Sequence, residues 1–116
     1  MQNAALAETW TPSGPDVMDI TGRLDDGTSP LIEEDALLCI QSGARRMILD
    51  CRDLHYITGA GTRALIAIAR AMQQAEGTLA VCHLQPQVEA MFRATGIDRI
   101  IPVFADQDEA TAALAA

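Results

Sequence analysis

The sequence predicts an α/β fold. It reads as a single domain with a mostly parallel mixed sheet of about five strands and about four helices, in the order β-β-α-β-α-β-α-β-α. Three observations carry this. Met47-Ile48-Leu49 and Leu79-Ala80-Val81 are unbroken apolar runs, the mark of strands covered on both faces. Segments with helical spacing of apolar residues lie between and after these runs, and several end at a glycine. The length of 116 residues allows one domain and leaves nothing over for a second.

Residues 1–16 carry Trp10, Pro12, Gly14 and Pro15, which suit a short edge strand near Ala7–Thr11 followed by a turn. In "VMDITGRLD", Met18, Ile20 and Leu24 alternate with Asp19, Thr21 and Arg23, giving a strand with one wet face. Ser29 then suits an N-cap and Pro30 the N1 position. Glu33, Glu34 and Asp35 fill the first turn, favourable toward the helix dipole. Ile32, Ala36, Cys39 and Ile40 share a face of this helix, and Gly43 ends it. After the strand "RRMILDC", the segment "TRALIAIARAMQQAEG" is a helix burying Leu65, Ile68, Ala69, Met72 and Ala75. "TLAVCH" repeats the central-strand pattern. "PQVEAMFRATG" is a short helix with Val88, Met91, Phe92 and Thr95 facing inward. "RIIPVF" is a strand placed at an edge by Pro102, which has no N–H to donate. "DQDEATAALAA" closes the chain as a helix capped by Asp106.

Composition narrows the function. The formal net charge is −8, and all eight cations are arginines. An acidic chain without a basic cluster is not drawn to a nucleic-acid backbone or an anionic membrane. No apolar run is long enough for a membrane span, and the N-terminus lacks the pattern of a secretory signal, so a cytoplasmic protein is expected. The three cysteines, Cys39, Cys51 and Cys82, lie in apolar segments without a C-x-x-C, as reduced buried thiols do. Cys51, His55, Cys82 and His83 lie near neighbouring strand ends, but the paired spacing of structural zinc sites is missing, so no metal is expected.

The stretch "HYITGAGTR" is the one motif with apparent chemistry. Gly59-Ala60-Gly61-Thr62-Arg63-Ala64 fits G-x-G-x-x-[GA], but Arg52–Thr58 separate it from the strand, and no acidic residue follows the next strand. A P-loop is excluded because the chain has no lysine. A nucleophile with a histidine base is not assembled either. His55 lies before the turn, but the serines fall in loops and caps elsewhere, and Asp50 and Asp53 are paired only in sequence. No enzyme activity, catalytic residue or cofactor is expected.

Three segments together resemble a known family. "ITGRLDDGTSP" is similar to a strand end of the form L-x-G-x-L-D. "ARRMILDCRDLHYITGAGTRALI" is similar to a segment written F-[IV]-D-S-[ST]-G-[LI]. "QPQVEAMFRATGIDRIIPVFADQDEATAAL" is similar to a closing third with T-G-[LI]-D and [FI]-P-V-[FY]. In this order, over about residues 17 to 115, they resemble a STAS domain of the bacterial anti-anti-sigma factor type. The resemblance implies a partner-switching module. Such a module binds a kinase-type anti-sigma factor, frees the sigma factor, and is silenced when the kinase phosphorylates the serine of the motif.

This chain departs from the motif at its centre. Tyr56 and Ile57 match the apolar positions and Gly61 the glycine, but Thr58 stands for Asp, Gly59 for the phosphoacceptor serine and Ala60 for the second hydroxyl. The resemblance therefore implies a docking turn whose usual switch is missing, with Thr58 as fallback acceptor or, as its own chemistry suggests, a helix cap. Contact with a partner is expected from Asp25, Thr58, Gly59, Ala60, Gly61, Thr62, Arg63, Ile66 and Arg70. Ile66 is expected on the outer side of the helix between two arginines. Asp25 has a local alternative, capping the turn at Asp26-Gly27. Two other functions fit the same fold: a STAS subunit of an ABC-type lipid transporter, and a nucleotide- or small-ligand-sensing domain.

Overall fold

The computed structural model describes residues 15–115, so the strand expected near Ala7–Thr11 lies outside the described residues. The central sheet has four strands: β1 (Asp16–Asp19), β3 (Arg46–Asp50), β5 (Thr78–Cys82) and β6 (Val103–Phe104). Their order is β1-β3-β5-β6 and each pairing is parallel. A second, two-stranded parallel ribbon pairs β2 (Gly22–Leu24) with β4 (Leu54–Ile57). The four helices are α1 (Ser29–Gln41), α2 (Gly59–Gln74), α3 (Pro86–Thr95) and α4 (Gln107–Ala115).

The helices cover the sheet unequally. On one face Met47, Leu49 and Cys51 of the β3 segment join Leu79 and Val81 of β5 and the buried sides of α1, α2 and α3 in one core. On the other face Ile48, Ala80 and Cys82 meet Ala110 of α4, with Phe104 and Leu114 packed at the margin. Both sides of β3 and β5 are thus dry, which explains their continuous apolar runs.

The expected strand "VMDITGRLD" is broken in two. Gly22 adopts φ +75°, a conformation glycine enters without steric cost, and the chain bends there between β1 and β2. The partner chain is interrupted at the matching place, with a short loop between β3 and β4. Within Arg52–Thr58, the stretch that separates the glycine turn from the preceding strand, Leu54–Ile57 is itself a strand. It escapes a period-two pattern because its burial runs in, out, out, in.

The helices form close to where they were expected, with differences at the ends. Thr28, not Ser29, precedes α1, and Ser29 is its first residue. Thr58 caps α2, so this helix begins three residues before the apolar stripe suggested. In α3 only Val88 and Phe92 are buried. Met91 is 40% exposed, and Thr95 lies outside with its hydroxyl donating to the Met91 carbonyl at 2.7 Å. An i, i+4 pair suffices here because α3 lies along one narrow seam beside β4 and the short 3-10 turn Ile97–Arg99. The last strand, which follows that turn, is two residues long. β6 is at the sheet edge, as the proline required, and the Pro102 carbonyl accepts from the Val81 N–H at 2.9 Å. Asp106 caps α4, its Oδ1 accepting from the Glu109 N–H at 2.8 Å.

Phe92 is fully buried and anchors α3 to the core. Phe92→Ala is expected to lower the unfolding free energy by about 3–5 kcal/mol. Urea titration checks this, with the slope of the transition unchanged if the unfolded state is unaffected.

Candidate functional site

The turn between β4 and α2 is held against the end of β2. Thr58 is extended, with φ −105° and ψ 179°, and its Oγ1 accepts from the Gly61 N–H at 3.4 Å, capping α2. The same hydroxyl donates to the Leu24 carbonyl at 3.3 Å, and the Thr58 N–H donates to that carbonyl at 3.0 Å. The Thr62 hydroxyl donates back to the Thr58 carbonyl at 3.1 Å. Both hydroxyls of the turn are therefore engaged with backbone.

The two glycines of the turn have different roles. A Cβ on Gly61 would run into the Leu24 carbonyl oxygen and lie 2.9 Å from both Ile57 Cγ1 and Leu24 Cγ. Glycine is required there because two backbones touch. A Cβ on Gly59 would meet only Arg63 Nη1, at 3.5 Å, and Gly59 is exposed. A side chain at position 59 would project into open space.

Asp25 forms the neighbouring rim. Its Oδ1 accepts from the N–H groups of Gly27 at 3.0 Å and Thr28 at 3.1 Å, closing the loop that leads into α1. Those bonds, from Gly27 first and then Thr28, hold its carboxyl below the usual carboxylate range. Arg23 Nε lies 3.3 Å from Asp25 Oδ2, and the Arg23 guanidinium stacks 4.5 Å over the ring of Tyr56. Tyr56 is 49% exposed. The Arg23–Tyr56 pair was not expected as part of this surface. It arises from the β2–β4 register, in which these two residues are partners.

The structure brings Asp25 and Thr58–Arg63 together and sets two expected residues apart. Ile66 is not on a free outer face. It is half-buried and packs against the core, because α1 lies alongside α2 and takes up that side of the helix. Arg70 is exposed, but it sits eleven positions beyond Gly59, roughly 16 Å along the helix. There it lines a groove of about 590 Å³ with Met72, Ile100, Phe104 and Leu114.

His55 is exposed on β4, its Nδ1 3.3 Å from Gln85 Oε1. Cys51 turns into the core, its Sγ 3.9 Å from the Leu49 carbonyl, and burial pushes its thiol far up. Cys82 faces the other side of the sheet, and burial raises its thiol to about 11. The group Cys51, His55, Cys82 and His83 is therefore not one site.

With this architecture in place, the family is defined. Residues 8–110 match the family model described as STAS domain, and the chain belongs to the STAS domain family. Within it, the chain is 31% identical over 94 residues to BtrV of Bordetella bronchiseptica, provisionally named an anti-sigma factor antagonist, with 81% of each chain covered. The crystal structure of an anti-sigma factor antagonist from Mycobacterium paratuberculosis superposes with a TM-score of 0.81 at 20% identity, covering 90% of this chain and 89% of that one. A sulfate transporter family protein from Wolinella succinogenes superposes with a TM-score of 0.78 at 20% identity, covering 90% and 87%. The relatives support a general antagonist role. The structural neighbours show the fold.

The contrast between the glycines sets a test of the turn. Gly61→Ala is expected to destabilise the domain by about 1–3 kcal/mol through backbone collision. Gly59→Ala should stay within about 0.5 kcal/mol of the parent. Thr58→Ala should cost about 1 kcal/mol through loss of the cap. Equilibrium unfolding of the three variants checks the order.

The thiols give a second test. Cys51 and Cys82 are fully buried and held protonated at neutral pH. At pH 8 a chromogenic disulfide reagent is expected to label Cys39 first, and Cys51 and Cys82 only on unfolding. Their thiolates would form only as the pH rose toward and beyond 11.

Proposed function

We propose that this domain is an anti-sigma factor antagonist that acts by binding a serine-kinase-type anti-sigma factor, and that it is not silenced by phosphorylation at the usual position of the turn. The observation that carries this reading is the environment of Gly59. Its surroundings are open and exposed at the first turn of α2, while Gly61 two residues on is locked in place. The backbone has the form of a docking turn, and position 59 has no hydroxyl. The partner class comes from the resemblance of the motifs and from the 31% identical relative.

The physical logic is electrostatic. A phosphoryl group brings about −1.5 to −2 charges at neutral pH. At a helix N-terminus the dipole accommodates that charge, so the module stays folded. A partner packed over the turn would have to desolvate it, and binding fails. Without an acceptor at position 59, the contact persists while the kinase is active. Thr58 is a poor substitute, because its hydroxyl is part-buried and already bonded to Leu24 and Gly61. The contacting surface is Asp25, Thr58–Arg63 and the adjoining Arg23 and Tyr56. The chain works as a binding module without catalysis, and no helix among the described residues is long and apolar enough to cross a membrane.

The fold is shared with a sulfate transporter family protein, so architecture alone does not select the partner. Incubation with a kinase-type anti-sigma factor and ATP, followed by intact mass measurement, tests the reading. The parent is expected to stay unmodified and bound. Gly59→Ser is expected to gain one phosphoryl group and lose binding, since the site has room for the side chain. Stoichiometric phosphorylation of the parent within residues 58–62 would overturn the proposal.

A further inference from the structure

At the carboxyl ends of β3 and β5, three side chains of metal-ligating type converge. Asp50 and Cys82 are register partners on adjacent parallel strands, so their side chains lie on the same face. His83 follows Cys82, and regular alternation would send its side chain to the opposite face. Instead its φ is +59°, and the imidazole returns alongside Cys82. A carboxylate oxygen of Asp50, the sulfur of Cys82 and a ring nitrogen of His83 all lie within 4.8 Å of one another. Tetrahedral bonds of about 2.0–2.3 Å set ligand atoms about 3.3–3.8 Å apart, so a modest contraction would bring all three onto one ion.

The cluster also has the supporting contacts that a metal site needs. Asp50 is only 6% exposed. Its Oδ1 accepts from the Arg52 N–H at 3.0 Å and its Oδ2 from Gln107 Nε2 at 2.7 Å. These bonds orient the carboxylate and leave lone pairs free on both oxygens. A cavity of about 210 Å³, lined by Asp19, Thr21, Asp50, Arg52, Asp53 and Gln107, opens beside it. The position follows the general rule that ligands of open α/β sheets bind outside the carboxyl ends of the strands.

We propose that Asp50, Cys82 and His83 form a binding site for a zinc-class divalent ion, with a fourth position left for solvent. Sulfur, imidazole nitrogen and carboxylate oxygen together suit a borderline-soft ion, whereas magnesium and calcium take oxygen ligands. The Cys82 thiol gives its proton to solvent as the metal–sulfur bond forms. Arg52 competes for the site, because its Nη2 lies 2.9 Å from His83 Nε2. Arg52 is exposed and can swing into solvent, while Cys82 has no exposed surface. Metal entry therefore displaces the guanidinium.

Cobalt(II) is the probe, titrated into the metal-stripped, tag-free full chain. One equivalent is expected to give the intense visible bands of a tetrahedral site and a near-ultraviolet thiolate-to-cobalt band, both bleached by one equivalent of zinc. Cys82→Ser should abolish the thiolate band. His83→Asn keeps a residue that tolerates the left-handed backbone and should weaken cobalt binding roughly tenfold or more. Circular dichroism checks that each variant is folded, and either folded variant decides the matter. Arg52→Gln should bind at least as tightly as the parent; weaker binding would refute the competition. Absence of the thiolate band in the parent, its survival in folded Cys82→Ser, or unchanged affinity in His83→Asn would overturn the site.

Discussion

The Leu24 carbonyl is where the end of β2 and the start of α2 are fastened together. It accepts the N–H and the hydroxyl of Thr58, and its oxygen lies against Gly61 where any larger residue would carry a Cβ. The end of β2 is thereby tied to the first turn of α2. The cap on that turn uses the same threonine, so the helix start and the strand end are set together. Bonds of this kind fix the turn locally, so the proposed docking would need little ordering.

A second consequence follows from the bend in the sheet. β1 and β3 stop at the level of Asp19 and Asp50, and their continuations β2 and β4 carry the chain onward to the turn. The carboxyl end of β3 faces a polar cavity, while β4 delivers Thr58 and Gly59 beyond it. The proposed docking turn and the proposed ion site thus draw on neighbouring parts of one strand system without sharing side chains. Arginine serves both regions. Arg23 stacks on Tyr56 beside the turn, and Arg52 reaches His83 beside the cavity. A planar guanidinium makes such stacked and directed contacts better than an ammonium does.

Much of this was legible beforehand. The runs around Ile48 and Ala80 marked central strands because both faces are buried, and Pro102 marked an edge because it lacks a donor. The caps at Thr58 and Asp106 were readable from side-chain chemistry that acts within three or four residues. β4 was not readable, because only Leu54 and Ile57 of its four residues are buried. Ile66 was misplaced for a related reason. The helix has two apolar flanks, and the second is occupied by α1, a neighbour that helical spacing within α2 alone does not reveal. The Arg23–Tyr56 pair depends on register across two strands, to which a linear pattern is blind.

The sequence by itself determined the α/β class, the number and type of most elements, the match of Gly61 to the glycine of a family motif, and the missing hydroxyl at position 59. These are matters of short-range periodicity, capping and residue identity. Tertiary structure alone decided which glycine is locked and which is free, which flank of α2 is covered, and which polar residues meet at the strand ends. Leu24 and Thr58 are 34 residues apart, and Arg52 and His83 are 31 apart. Contacts over such separations are created by parallel register and by packing between layers, and no local pattern along the chain encodes either.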